Sequence, residues 1–336
     1  MHRFAHTLKS RNLLPLILIS ITIMGFRSIV VSYDALTVPD KFQDFITLSL
    51  SVFIEAFPFL VLGSLLAALV GTYMPPQTFE RYLPKNGMIK RATLSLFGFM
   101  FPVCECGNVP LSRALMVQGL KPSEAITFLL SAPVLNPVTI WSTWAAFSYD
   151  SSIVSARIIA TLIIANLIGF ILAQRKDEQS FLTKSFATQC RVTKHDAGKS
   201  TKRAKFSQVS TAFSHEAFTM IKMLAFGALI AGLVQTFVPR DILVNIGSNV
   251  ILSIIAMVLL AFIVSICASV DAFFALSFAS TFTAGSLVSF LVFGPMIDIK
   301  MLALLKTTFR TKPLALITIL VLLMSILTGL VVTYAF

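Results

Sequence analysis

Charge is scarce in this chain. Only 12% of its 336 residues are Asp, Glu, Lys or Arg, where a soluble domain carries about 25%. With 56% hydrophobic residues and a mean hydropathy of +0.86, that deficit excludes an ordinary soluble fold. Acidic residues are the scarcer sign, 15 against 27 basic. The basic surplus does not mark a nucleic-acid binder, because Lys and Arg cluster in short loops between apolar runs, as the positive-inside rule requires. Cysteine is rare too. Cys104, Cys106 and Cys267 lie in apolar segments and Cys190 in a basic loop, which excludes a disulfide framework. His2, His6, His195 and His215 show no metal-ligand spacing. No phosphate-binding loop with its Lys is present, so no ATPase is encoded. No resident metal or cofactor is expected, and the chain does not read as an enzyme.

What is present is a series of apolar runs long enough to cross a bilayer. The fold class is an all-α polytopic membrane protein. Spans are predicted at Leu13–Val31, Phe45–Tyr73, Ala125–Phe147, Ile153–Ala173, Ala212–Val238, Ala284–Leu304 and Pro313–Tyr334, seven in all. Two further stretches, Ala92–Val117 and Val250–Thr283, are apolar but interrupted by Gly, Pro and polar residues. The first span follows Arg3, Lys9 and Arg11 without a small-x-small cleavage site, so it reads as an uncleaved helix. With the N-terminus in the cytoplasm, 22 of the 27 basic residues fall on the inside. That count includes Lys90, Arg91, Arg113 and Lys300. It requires both interrupted stretches to leave on the side they entered, as re-entrant or hairpin segments. The C-terminus is then outside, and the location is the inner or plasma membrane.

The organisation reads as residues 1–44 (tail and first helix), 45–173 (a first membrane repeat), 174–211 (a basic, flexible cytoplasmic linker) and 212–336 (a second repeat). Gly63–Pro75, GSLLAALVGTYMP, matches Gly227–Pro239, GALIAGLVQTFVP, at seven of thirteen positions. Similar offsets pair Cys104 with Cys267, and Phe128, Pro133 and Asn136 with Phe290, Pro295 and Asp298. Corresponding helices run in opposite directions through the membrane, which describes an inverted repeat. Such repeats place their site near the midplane, where discontinuous helices of the two halves meet.

The chemistry-bearing residues fall at those interruptions. Cys104-Glu105-Cys106-Gly107-Asn108-Val109-Pro110 sets two thiols and a carboxylate in an apolar run, with a helix break and a half-helix start expected at Gly107–Pro110. Ionisable groups at membrane depth face a cavity or a partner. Thiolates suit soft ions, among them Cu(I), Zn and trivalent metalloids. Cys267, at the matching place, completes a three-thiol set, followed by Ser269 and Asp271. Substrate contacts are therefore expected from Cys104, Glu105, Cys106, Asn108, Asn136, Cys267, Ser269 and Asp271. Glu105, Asp271 and Asp298 are placed to carry a coupling proton or ion. Further breaks are expected at Pro133, Pro137, Gly294 and Pro295. A Glu55–Lys222 pair across the repeats would offset the burial of both.

Pro102–Pro110, Phe128–Pro133 and Phe293–Lys300 resemble the bacterial predicted-permease family, over roughly residues 45–335. That family includes YraQ-like proteins and the ArsP-type organoarsenical exporters. The resemblance implies an inner-membrane permease, and membrane cysteines are the ligands expected for a trivalent arsenical. Export of a small thiophilic solute is the leading reading. A permease for an unrelated solute or metal ion, a membrane thiol oxidoreductase using Cys104 and Cys106, and a non-transporting subunit of a complex stay open beside it. The partners expected are the bilayer and a small-molecule or metalloid substrate.

Overall fold

A computed structural model describes residues 40–74, 83–100, 104–148, 151–175, 178–193, 202–237 and 250–335. The span expected at Leu13–Val31 lies outside them. Two compact units divide the chain: Met1–Asp44, of which only the opening of the first described helix is seen, and Phe45–Phe336, which holds the rest. Among the described residues the structure is all helical apart from a single Leu182–Phe309 bridge.

The helices are α1 (Asp40–Tyr73), α2 (Gly87–Ser95), α3 (Glu105–Val117), α4 (Pro122–Ser131), α5 (Pro137–Ala146), α6 (Ser151–Ala173), α7 (Lys184–Thr193), α8 (Lys202–Phe237), α9 (Val250–Val264), α10 (Asp271–Leu276), α11 (Ala284–Met296), α12 (Ile299–Leu305) and α13 (Thr311–Ala335). Among the described residues, five stretches are long and apolar enough to cross a membrane: Lys41–Tyr73, Ser151–Ala173, Gln208–Phe237, Ala284–Leu305 and Thr311–Ala335. The protein is a multi-pass membrane protein. The span expected at Ala125–Phe147 is two short helices, α4 and α5. They are separated at Pro133–Asn136 because Pro137 opens α5 and the residue before a proline avoids helical backbone.

Helix order repeats on either side of α7. A long helix, a shorter one, a piece that starts at an interruption, two short helices and a closing long helix occur as α1–α6 and again as α8–α13. Within the first set α2, α4 and α6 pack on one another; within the second α9, α11 and α13 do the same. Between the sets α3 packs on α12 and α5 on α10. Those two contacts exchange corresponding elements. The starts of α5 and α12 also correspond: Asn136 Oδ1 accepts from Val138 N at 3.0 Å, and Asp298 Oδ1 accepts from Met301 N at 2.6 Å. Both are side-chain N-caps that satisfy otherwise unpaired helix N–H groups.

Several expectations need correction. Gly107 and Pro110 do not interrupt a helix; α3 begins at Glu105 with Cys104 as its N-cap and runs through both. Pro110 lies past the first turn and removes the donor that would have met the Cys106 carbonyl, yet α3 runs through it, as membrane helices tolerate where neighbouring groups re-satisfy the backbone. Gly294 and Pro295 likewise lie in the last turn of α11, and the break follows at Ile297–Asp298. The 174–211 segment is not a bare tether. It contains a 3₁₀ turn at Glu178–Phe181, α7 and the start of α8, and α7 packs on α3. Phe181, Leu182 and Phe186 are buried, which gives this basic segment its own apolar anchor. Glu55 and Lys222 do not pair; the Lys222 ammonium lies over the Phe218 ring at 4.0 Å. Lys90, Arg91, Arg113 and Lys300, read as loop charges, are buried. Lys90 meets Glu124 at 3.0 Å and Arg113 meets Glu216 at 2.7 Å.

The matched glycines mark where each long helix reaches an interrupted element. A Cβ on Gly63 of α1 would overlap the Gly107 backbone of α3, while one on Gly227 of α8 would press on Lys300 Cα of α12 at 3.0 Å. Gly63→Ala is therefore expected to destabilise the protein by about 1–3 kcal/mol through overpacking. Gly71→Ala on the same helix, where a Cβ meets nothing within 4 Å, is expected to hold or raise stability. Thermal melts of the two purified variants in one detergent check this. Equal midpoints would show that α1 and α3 do not meet there.

Candidate functional site

The centre is built from the two interruptions. On one side the chain leaves Cys104 in extended backbone (φ −69°, ψ 172°) and enters α3 at Glu105. On the other, α9 ends at Val264 and six non-helical residues, Ser265–Val270, precede α10. Ser265 takes the left-handed conformation, φ 51°, rare outside glycine. Residues held in such backbone cluster at functional sites. Here the turn leaves the Ser265 carbonyl accepting from Lys300 Nζ at 2.6 Å.

Cys104 Sγ, Cys267 Sγ and a Glu105 carboxylate oxygen lie within 4.8 Å of one another. The Cys267 thiol donates to Glu105 Oε2 at 3.8 Å, and the Ser269 hydroxyl donates to Cys267 Sγ at 3.6 Å. The third member expected, Cys106, is buried in the apolar core and outside this set. Cys104 stands in extended backbone as the N-cap and Cys106 is one residue into the helix, so the two thiols neighbour one another while only that of Cys104 reaches both Glu105 and Cys267. The carboxylate between them takes the place of the third sulfur.

Glu105 is also half of an ion pair. Lys300 Nζ lies 3.0 Å from Glu105 Oε1 and 3.4 Å from Asp298 Oδ2. The second distance is an ion-pair contact without hydrogen-bonding geometry, since Asp298 Oδ2 has no hydrogen-bond partner. All three side chains are 1–2% exposed. Two carboxylates thus share one ammonium in a dry place, where an opposite charge at contact is needed to offset the loss of hydration. Sequence spacing placed Lys300 at the membrane surface; the fold sends it inward on the first turn of α12.

Asp271 is not at the thiols. It forms a two-pronged pair with Arg157 of α6, Nη1 to Oδ1 at 3.1 Å and Nη2 to Oδ2 at 2.6 Å, with Arg157 Nη1 also donating to Thr143 Oγ1 at 2.6 Å. This parallel geometry is the strong form of a guanidinium–carboxylate contact. The sequence reading assigned Arg157 nothing. The signal was there, since a lone Arg inside the Ile153–Ala173 span is a charge at membrane depth. Asn108 is fully buried one turn into α3, its N–H bonded to the Cys104 carbonyl at 3.1 Å. Asn136 acts through its side chain as the α5 cap described above.

Both ion pairs run between the two helix sets: α3 to α12 and α6 to α10. The candidate site therefore lies where the two helix sets meet. A family model described as a predicted permease matches residues 41–334, a stretch that contains every residue of this centre. The chain belongs to the predicted-permease family. Two curated relatives agree. A protein of Streptococcus mutans serotype c (strain ATCC 700610 / UA159), named "Putative two-component membrane permease complex subunit", is 36% identical over 82% of this chain and 90% of its own length. UPF0718 protein YcgR of Bacillus subtilis (strain 168) is 34% identical over 82% of this chain and 92% of its own length. No solved structure matches this permease-family chain.

Proposed function

We propose that this permease-family protein is a secondary transporter that exports a small thiophilic solute, of the class of a trivalent organoarsenical. The observation that carries the reading is the Cys104–Glu105–Cys267 set, two thiols and a carboxylate gathered from both interruptions. Soft, thiol-seeking solutes are the chemistry such donors suit. In this reading residues 45–173 and 212–336 are inverted halves joined by the 174–211 segment, and the N-terminus is cytoplasmic. The matched helix order and the reciprocal α3–α12 and α5–α10 contacts support the pairing of halves. Transport proceeds by movement of one half against the other around the shared site. The surplus carboxylate beside Lys300 is the place for a coupling proton, since Glu105 and Asp298 share one cation.

The test is efflux of a trivalent methylated arsenical from an arsenic-sensitive strain. Wild type is expected to protect and to lower cell arsenic, and Cys104→Ser and Cys267→Ser to lose protection while accumulating in the membrane to normal levels. Cys106→Ser is expected to retain it, because that thiol is outside the set. Full protection by Cys104→Ser, or none by wild type, sinks the thiophilic assignment.

A second reading has one observation behind it: the Streptococcus mutans relative is named as a subunit of a two-component membrane permease complex. On that reading the chain needs a second protein to move its solute. Efflux by the purified chain alone in liposomes would exclude it.

A further inference from the structure

Away from the centre, a cavity of about 1000 Å³ opens between the end of α6, the start of α7 and the turn that joins α12 to α13. Its charged lining is of one sign. Arg175, Lys184, Lys306, Arg310 and Lys312 surround it, and among the described residues no Asp or Glu does. All five are exposed, and none forms an ion pair among the described residues. Beyond the orientation that inside charges set, the permease reading gives these residues no role.

The five cations are not a run along one segment. Arg175 and Lys184 belong to the 174–211 segment, while Lys306, Arg310 and Lys312 come from the second half. Backbone bonds hold the two segments side by side. Thr183 N donates to the Thr308 carbonyl at 2.9 Å, and Arg310 N donates to the Phe181 carbonyl at 2.8 Å. The Thr183 hydroxyl adds a bond to the Thr307 carbonyl at 3.1 Å. Five like charges are thereby gathered around one concavity, where they repel one another. The α13 helix begins on the same wall at Thr311, with no acidic residue in its first turn to answer its positive end. Leu316 supplies an apolar flank.

We infer that this cavity is a binding site for a phosphate-bearing anion, held by Lys306, Arg310 and Lys312 from one side and by Arg175 and Lys184 from the other. A multivalent phosphate relieves the mutual repulsion of the cations and clamps the 174–211 segment onto the second half. The same chemistry is offered by a free phosphate compound and by the headgroup of an anionic lipid, for which basic pockets beside membrane helices are suited.

The experiment uses the full chain purified into nanodiscs of a neutral phosphocholine lipid. One arm titrates inorganic pyrophosphate; the other replaces neutral lipid stepwise with phosphatidylglycerol. Both read the melting temperature, which a ligand selective for the folded state must raise. Wild type is expected to be stabilised in at least one arm, and the arm that responds at the lower dose names the source. Lys306→Gln/Arg310→Gln/Lys312→Gln is expected to raise the half-saturating dose about a hundredfold, at about a fivefold loss per cation. Lys312→Gln alone, about fivefold, serves if the triple variant does not fold. Lys85→Gln, an exposed cation elsewhere, is expected to match wild type. No stabilisation of wild type in either arm overturns the inference. So does an equal response of wild type and the Lys312 variants.

Discussion

Lys300→Met is expected to cost about 3–5 kcal/mol of stability and to abolish transport, the largest single effect at the centre. The substitution removes the one cation shared by Glu105 and Asp298 and the donor to the Ser265 carbonyl, leaving all of them buried. The loss arises from stranded charge rather than from a missing contact, so it is reversible by neutralising the partners. Lys300→Met/Glu105→Gln/Asp298→Asn is expected to regain most of the melting temperature, with Asn still able to cap α12. It is not expected to regain transport, because the carboxylate that takes part with the thiols is gone. Thermal melts and efflux, measured on the same preparations, separate the two outcomes. A Lys300→Met protein that melts with wild type would show that the ammonium is not the counter-ion of Glu105.

Asp271→Asn is expected to destabilise by a similar amount, about 3–5 kcal/mol, for the same physical reason seen from the other side. Among the described residues Arg157 is the largest of the fully buried side chains, and it cannot shed its charge. Without Asp271 it keeps only the Thr143 hydroxyl among its side-chain partners. Arg157→Met/Asp271→Leu, which removes both charges, is expected to melt near wild type, since well-packed apolar pairs replace buried ion pairs without loss. Arg157→Lys is expected to recover little, because an ammonium cannot make the two parallel bonds to the carboxylate. If the double variant instead transports at the wild-type rate, the pair only fastens α6 to α10, and Asp271 has no part in coupling. If it folds and does not transport, the pair belongs to the moving parts.

Much of the centre was legible before any coordinates. Cys104, Glu105, Cys267 and Asp271 stood out because each is polar in an apolar run, and all four are buried or nearly so where the two helix sets meet. The break before Asp271 was legible as well, and so was the pairing of Asn136 with Asp298. The break assigned to Gly107–Pro110 was misplaced because proline is read locally as a stop, while a packed membrane helix can run through one and give up a single backbone bond. The 174–211 segment was misread for a related reason. Its basic composition signals solvent, but three apolar residues, Phe181, Leu182 and Phe186, suffice to dock it.

The sequence by itself determined the class of this protein. Hydropathy and the scarcity of charge depend on composition over tens of residues; a bilayer leaves only helices and closed barrels to satisfy backbone hydrogen bonds, and long continuously apolar runs suit helices, not the short alternating strands of a barrel. It also suggested the proposed repeat, because matched residues at a near-constant offset need no geometry to be seen. Partnership was decided only by the tertiary structure. Lys300 read as a loop charge and Arg157 as nothing, yet each is the counter-ion of a carboxylate far away in the chain. Charge pairing depends on distance and burial, which the packing of whole helices sets. For the same reason the thiols of Cys104 and Cys267, from two interruptions far apart in the chain, come together beside Glu105. Their nearness follows from which interruptions the packed helices bring together, and spacing along the chain does not contain it.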